Sequence, residues 1–266
     1  MTPTLAIKDL KLAFRSYEGL AEVLHGISLT TKPGERVALV GESGSGKSTL
    51  ANMILGIYPP TAGGILMQGA PLPKRRALKH RRAIQLVQQN PLSSLNPKRT
   101  VGASIRLALD VHDIDEHGAR AARIETLVGD VGLPQELDGR APAALSGGQR
   151  QRIAIARALA CEPDLLILDE LILVFDVLVQ ARVLKLLNDL RAIRGLTYVF
   201  ITHDLSVVRN VADRVAVFER GRLVELGTTP ELFSSPKHTY TRRLFSAISV
   251  ITPDERTLRD SLAAEA

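Results

Sequence analysis

Tryptophan is absent and cysteine occurs once, as Cys161. A lone thiol forms neither an internal disulfide nor a cysteine-based metal cluster. That excludes a disulfide-stapled secreted scaffold and fits a reducing compartment. Aromatic residues are only 4% of the 266-residue chain, against 45% hydrophobic residues in all. Helices around a parallel sheet suit that balance better than an aromatic-rich β-sandwich. No apolar run approaches the roughly 20 residues of a helical membrane span. The segment Met1 to Lys8 lacks the basic-then-apolar pattern of a secretory leader. The chain is therefore expected to be soluble, with any membrane role exerted through a partner. Charge is nearly balanced at a formal net +6, an excess that points to a solvated surface more than to a dedicated polyanion groove. Internal repeats and low-complexity linkers are also missing.

What the chain does have is an alternation of strand-like and helix-like segments. Apolar runs at 36–40, 64–69, 83–87, 165–168 and 197–201 read as strands, and residues 47–57 and 177–193 read as helices. The first of these helices is stopped by Pro59 and Pro60. Residues 214–218 and 222–226 flank the turn Glu219-Arg220-Gly221 and read as a hairpin. Between about 100 and 160 strand signals vanish and Ala, Arg and Leu recur at helical spacing, which marks a helical insertion. The tail from Thr229 reads as helices that fade into a polar end after Pro253. Alternating strands and helices argue for a mostly parallel sheet with helices on both faces.

Three motifs carry chemistry. Gly41-Glu42-Ser43-Gly44-Ser45-Gly46-Lys47-Ser48-Thr49 matches the phosphate-loop pattern, with a strand before it and a helix after it. Its glycines let backbone N–H groups curl toward phosphates, Lys47 would reach the β and γ oxygens, and Ser48 would hold Mg²⁺. Leu145-Ser146-Gly147-Gly148-Gln149 opens a second helix. Ser146 can cap it, and Gly147 and Gly148 leave its first N–H groups uncovered, so this helix start is a second anion-binding device. Leu165 to Leu168 lead into Asp169 and Glu170, placed for Mg²⁺ and for polarising a water. His203 follows another apolar strand, at the strand ends where such sheets bind ligands. It is assigned to the γ-phosphate and the attacking water. Gln89, with Gln88 as a competitor, sits where core gives way to the helical region and is read as a hinge residue that sees Mg²⁺ and the γ-phosphate. The basic run Lys74 to Arg82 has no interleaved aromatics to stack bases, so a solvated or membrane-facing surface is expected and no nucleic-acid partner. Cys161 is expected to be a packed core thiol.

Taken together and in order, these motifs resemble the nucleotide-binding subunits of ATP-binding cassette transporters over nearly the whole chain. The resemblance implies an α/β fold: a phosphate-loop NTPase, RecA-like parallel-sheet core with an N-terminal antiparallel β region and an inserted α-helical subdomain. It implies a core at 1–89 and 161–250, a helical subdomain at 90–160 and a polar tail at 251–266. ATP and Mg²⁺ are the implied ligands. Lys47, Gln89, Glu170 and His203 are the implied catalytic set, with Ser48, Gln89 and Asp169 serving the metal. An N-terminal aromatic, Phe14 or Tyr17, would stack on adenine. The signature at Leu145 to Gln149 would meet ATP held by a second, homo- or heteromeric subunit, and Asp176 would line that interface. The stretches Asn90 to Pro97 and His238 to Leu244 look like segments of peptide and nickel importer ATPases, although Thr239 stands where those usually have Pro. That narrows the implication to an importer with two permease subunits and an extracytoplasmic solute-binding protein, the chain lying peripherally on the cytoplasmic face of the inner membrane. One stretch departs from the family. Where Pro-Thr-Ser-Ala-Leu-Asp or similar is usual, this chain reads Leu171-Ile172-Leu173-Val174-Phe175-Asp176. The departure keeps a hydrolysis-impaired regulatory subunit open beside the ATPase reading. A soluble cassette acting on nucleic acid or ribosomes is the other alternative.

Overall fold

The structure is a computed structural model that describes residues 2–16, 19–88, 94–170 and 177–246. They form two compact units, Met1–Arg75 with Val199–Ala266, and Arg76–Tyr198.

The first unit holds two strand systems. In one, β1 (Leu5–Ser16) pairs antiparallel with β2 (Gly19–Thr31) on one side and with β4 (Ala62–Met67) on the other, and a short β5 (Ala70–Pro71) extends β4. This is the antiparallel β region that the family resemblance implies, yet no strand before residue 36 stands out in the apolar pattern. The reason is local. The register shifts between Ile7 and Leu10, where Asp9 takes φ 43°, and this irregularity breaks the two-residue alternation while letting both Ile7 and Leu10 face the core. Gly63 passes the same point with φ +75°, and a Cβ there would lie 2.1 Å from the Asp9 carbonyl oxygen. Only glycine fits that crossing.

In the other system, β3 (Arg36–Val40) runs parallel to β9 (Arg214–Glu219), which turns into the antiparallel β10 (Arg222–Thr228), the expected hairpin. Val37 to Val40 and Val215 to Phe218 are all fully buried. Continuous apolar runs of this kind belong to parallel strands covered on both faces. The start of β3 is fixed by Asp213, whose carboxylate accepts the Arg36 N–H at 2.9 Å and its guanidinium at 2.7 Å. The N–H of Thr202 donates to the Leu39 carbonyl at 3.2 Å, bringing the end of β8 (Thr197–Ile201) beside β3. Helix α1 (Lys47–Leu55) ends two residues earlier than the Pro59-Pro60 signal suggests, because Gly56 adopts φ 81° and its N–H caps the last carbonyls.

The second unit contains α2 (Leu78–Ala83), β6 (Ile84–Val87), α3 (Val101–His112), α4 (Arg120–Asp130), α5 (Gly147–Ala160), β7 (Leu165–Asp169) and α6 (Val177–Arg194). Strands β6 and β7 pair in parallel, from Ile84 opposite Leu165 to Val87 opposite Leu168. Arg120 is buried, and its guanidinium reaches Asp110 at 2.7 Å, Asp113 at 3.0 Å and the Ile114 carbonyl at 2.9 Å. A buried charge requires such partners. The basic run is not a plain solvated face. Arg76 is buried, Arg82 pairs with Glu162 and bonds the Cys161 carbonyl, and only part of the run stays exposed. Cys161 is buried, and burial pushes its thiol pKa up to about 11, so it packs as an inert apolar group. Among the described residues no helix is long and apolar enough to cross a membrane.

Candidate active site

In the first unit the loop from Gly41 to Gly46 carries the chain from β3 into α1. Gly41 has φ +145°, and a Cβ there would sit 2.2 Å from the Phe218 carbonyl oxygen. The loop thus presses directly on β9. Helix α1 starts on Gly46 with φ 105° and no side-chain cap, which leaves its first N–H groups to a ligand, as a phosphate site requires. Lys47 is only 6% exposed and folds back over the loop. Its Nζ donates to the carbonyls of Gly41 and Glu42, both at 2.7 Å, and to Ser45 Oγ at 3.1 Å. A single ammonium therefore holds the loop in its curled form. The outer side of the loop is tied down as well. The Gly221 N–H donates to the Ser45 carbonyl at 3.0 Å, and the Glu42 N–H donates to the Tyr240 hydroxyl at 3.0 Å. Ser43, Gly44 and Ser48 are exposed and Thr49 is half-buried, so the Ser48 hydroxyl is accessible to a ligand.

His203, also in this unit, is exposed just past β8. The next residue, Asp204, caps α7 (Leu205–Val211) by accepting the Ser206 N–H at 3.0 Å. Phe14 lies on β1, 41% exposed, with its ring edge-to-face against Tyr58 at 5.3 Å between centroids. A partly exposed, edge-braced ring of this kind can still stack a base. Tyr17, Gln89, Asp176 and the run Leu171 to Phe175 lie outside the described residues.

In the second unit, β7 carries Leu165 to Leu168 at no more than 1% exposure and delivers the half-buried Asp169 and Glu170 at its carboxyl end. Glu170 adopts φ 47°, a left-handed conformation that costs a residue with a Cβ about 1–3 kcal/mol and often marks a functional turn. The signature sequence forms the start of α5. Leu145 is buried, and Ser146 is exposed at the helix cap. Ser146 Oγ accepts the Gln149 N–H at 3.3 Å, and the Gln149 side chain accepts the Ser146 N–H at 2.8 Å. The pair is a capping box. Its sequence signal is a Ser followed three residues later by Gln. The cap expected of Ser146 is formed: it uses the third N–H, and the N–H groups of Gly147 and Gly148 are left for an anion. Replacing Ser146 by Ala is expected to lower unfolding stability by about 1 kcal/mol, measured by denaturant titration.

Residues 24–172, more than half of the chain, match the model of the ABC transporter family. The chain belongs to that family. The dipeptide transport ATP-binding protein DppF of Escherichia coli is 43% identical over 99% of this chain and 81% of its own length. The oligopeptide transport ATP-binding protein OppF of Bacillus subtilis is 42% identical over 94% of this chain and 84% of its own. Among solved structures, CbiO1 of Clostridium perfringens, part of the ABC transporter complex CbiONQ, superposes with a TM-score of 0.79 at 29% identity, covering 91% of this chain and 94% of that one. The phosphate-loop NTPase fold is thus that of an ABC cassette, and the chain is an ATPase of the family. Tyr240, which lies outside the phosphate-loop motif, also touches this cassette's phosphate loop. It lies in the stretch from His238 to Leu244 that resembles importer tails, and nothing in its local sequence shows that it reaches back 198 positions.

Proposed function

We propose that this ABC cassette is the ATP-binding and ATP-hydrolysing subunit that powers import of peptides or a related small solute through a membrane permease. The observation that carries the reading is that one chain has both a phosphate loop closed around Lys47 and an intact capped signature helix. It is supported by 40-odd per cent identity to subunits named for dipeptide and oligopeptide transport. In this reading Lys47 and the loop N–H groups bind the phosphates, and Phe14 or Tyr17 stacks on adenine. Glu170 accepts a proton from the attacking water. His203 positions that water and the γ-phosphate, and Gln89 relays the state of the site to the permease. Hydroxyl, carboxylate and amide oxygens at Ser48, Asp169 and Gln89 suit a hard cation such as Mg²⁺, and a bound Mg²⁺ would neutralise charge on the phosphates. Phosphoryl transfer depends on such positioning and charge stabilisation more than on covalent steps.

The partners are two permease subunits, a second ATPase subunit facing the signature Leu145 to Gln149 and Asp176, and an extracytoplasmic solute-binding protein. That places the cassette peripherally on the cytoplasmic face of the inner membrane, with residues 90–160 as the helical subdomain. Co-expression with candidate permease subunits tests this. The expected result is a membrane complex whose ATPase rate rises when a peptide-loaded binding protein is added. Salt-sensitive binding to nucleic acid without permease association would overturn it.

A further inference from the structure

We propose that Tyr240 is a positioning residue for nucleotide binding, its hydroxyl holding the Gly41–Glu42 peptide so that the phosphate loop keeps its shape when Lys47 turns to the phosphates. The inference rests on the phosphate-loop reading above. A trans peptide points its C=O and N–H in opposite directions. In this one, the Gly41 carbonyl accepts the Lys47 ammonium at 2.7 Å, while the Glu42 N–H donates to the Tyr240 hydroxyl at 3.0 Å. The ammonium and the phenol therefore grip the two sides of one peptide plane. When the ammonium exchanges that carbonyl for phosphate oxygens, only the tyrosine side of the grip remains. Gly41, at φ +145°, offers little resistance of its own to rotation of the plane.

The phenol is delivered from a fixed base. Helix α8 (Thr239–Ser246) follows a turn anchored on Glu225 of β10, whose carboxylate accepts the N–H groups of Lys237 at 2.8 Å and His238 at 3.0 Å. His238 Nδ1 in turn accepts the Tyr240 N–H at 3.2 Å. Phe245 of the same helix stacks on Phe233 at 4.8 Å. Tyr240 itself is only 6% exposed. A pocket of about 350 Å³ beside it is lined by Tyr240, Arg243 and Leu244 of α8 and by the exposed residues Glu42, Ser43 and Gly44. The hydroxyl is thus a rigid strut reaching a loop that has open space behind it.

The test compares the full-length wild-type chain with Tyr240→Phe, which removes one oxygen, and with Phe245→Leu, which loosens the same helix and keeps the hydroxyl. ATP affinity is measured by calorimetry, Tm without nucleotide by scanning, and KM and kcat in the assembled transporter. Tyr240→Phe is expected to weaken ATP binding roughly threefold to tenfold, the scale of one lost hydrogen bond whose donor water can partly re-satisfy. KM should rise by a similar factor while kcat holds, and Tm should fall less than in Phe245→Leu. Phe245→Leu should lower Tm and leave ATP affinity unchanged. Wild-type affinity in Tyr240→Phe, or an equal loss of affinity in both variants, would overturn the positioning role. A wild-type chain that binds no ATP would instead defeat the reading on which it rests.

Discussion

Glu170→Gln is expected to bind ATP as the wild type does and to hydrolyse it about 10²–10⁴-fold more slowly, the usual contribution of a general base. Glutamine keeps the volume of the side chain and one oxygen acceptor but cannot take a proton. The strand behind it is rigid: Leu165 to Leu168 are at most 1% exposed, so the substitution should not disturb the fold. The turn at φ 47° also stays, since both residues meet the same backbone cost there. Calorimetry for binding and single-turnover hydrolysis for chemistry separate the two steps. Hydrolysis by the variant at the wild-type rate would remove the base assignment.

Lys47→Ala acts one step earlier, on binding. ATP affinity should fall by about a hundredfold, which corresponds to roughly 2.7 kcal/mol and is within reach of one charge-assisted contact to phosphate. The nucleotide-free protein should lose stability too. Nζ makes three bonds inside the loop, to Gly41, Glu42 and Ser45, and their loss opens a curl that the glycines alone do not hold. Arginine is no substitute. Its planar fork is larger than the ammonium and does not fit a side-chain site that is 6% exposed. Melting scans with and without ATP check both effects: the wild-type Tm should rise with nucleotide and that of Lys47→Ala should not.

The strands that flank the motifs were legible in the sequence because they are buried on both faces. Runs such as Val37 to Val40 and Leu165 to Leu168 need no periodicity to stand out. Strands β1 and β2 were not, since the shift at Asp9 scrambles their alternation, and only the resemblance to cassette ATPases supplied them. The end of α1 was misplaced because a left-handed Gly56 stops the helix before the prolines do. At the site, residue types and spacing marked Lys47, Asp169, Glu170 and His203 as candidates. What they could not show is that Lys47 folds back onto the loop carbonyls, or that Tyr240 buttresses the loop from 198 positions away. Those facts depend on tertiary contacts between distant positions. The same holds for Arg76 and Arg82, which read as surface charge and turn out to be buried or paired.

In the proposed function this chain hydrolyses ATP only when a second cassette closes over its phosphate loop. The direct measurement is the ATPase rate per chain while a second cassette, another copy or the related subunit, is titrated in. The expected result is a rate near zero for the dilute chain alone, rising to a plateau as the second cassette is added. A full rate per chain that is independent of the second cassette would contradict it.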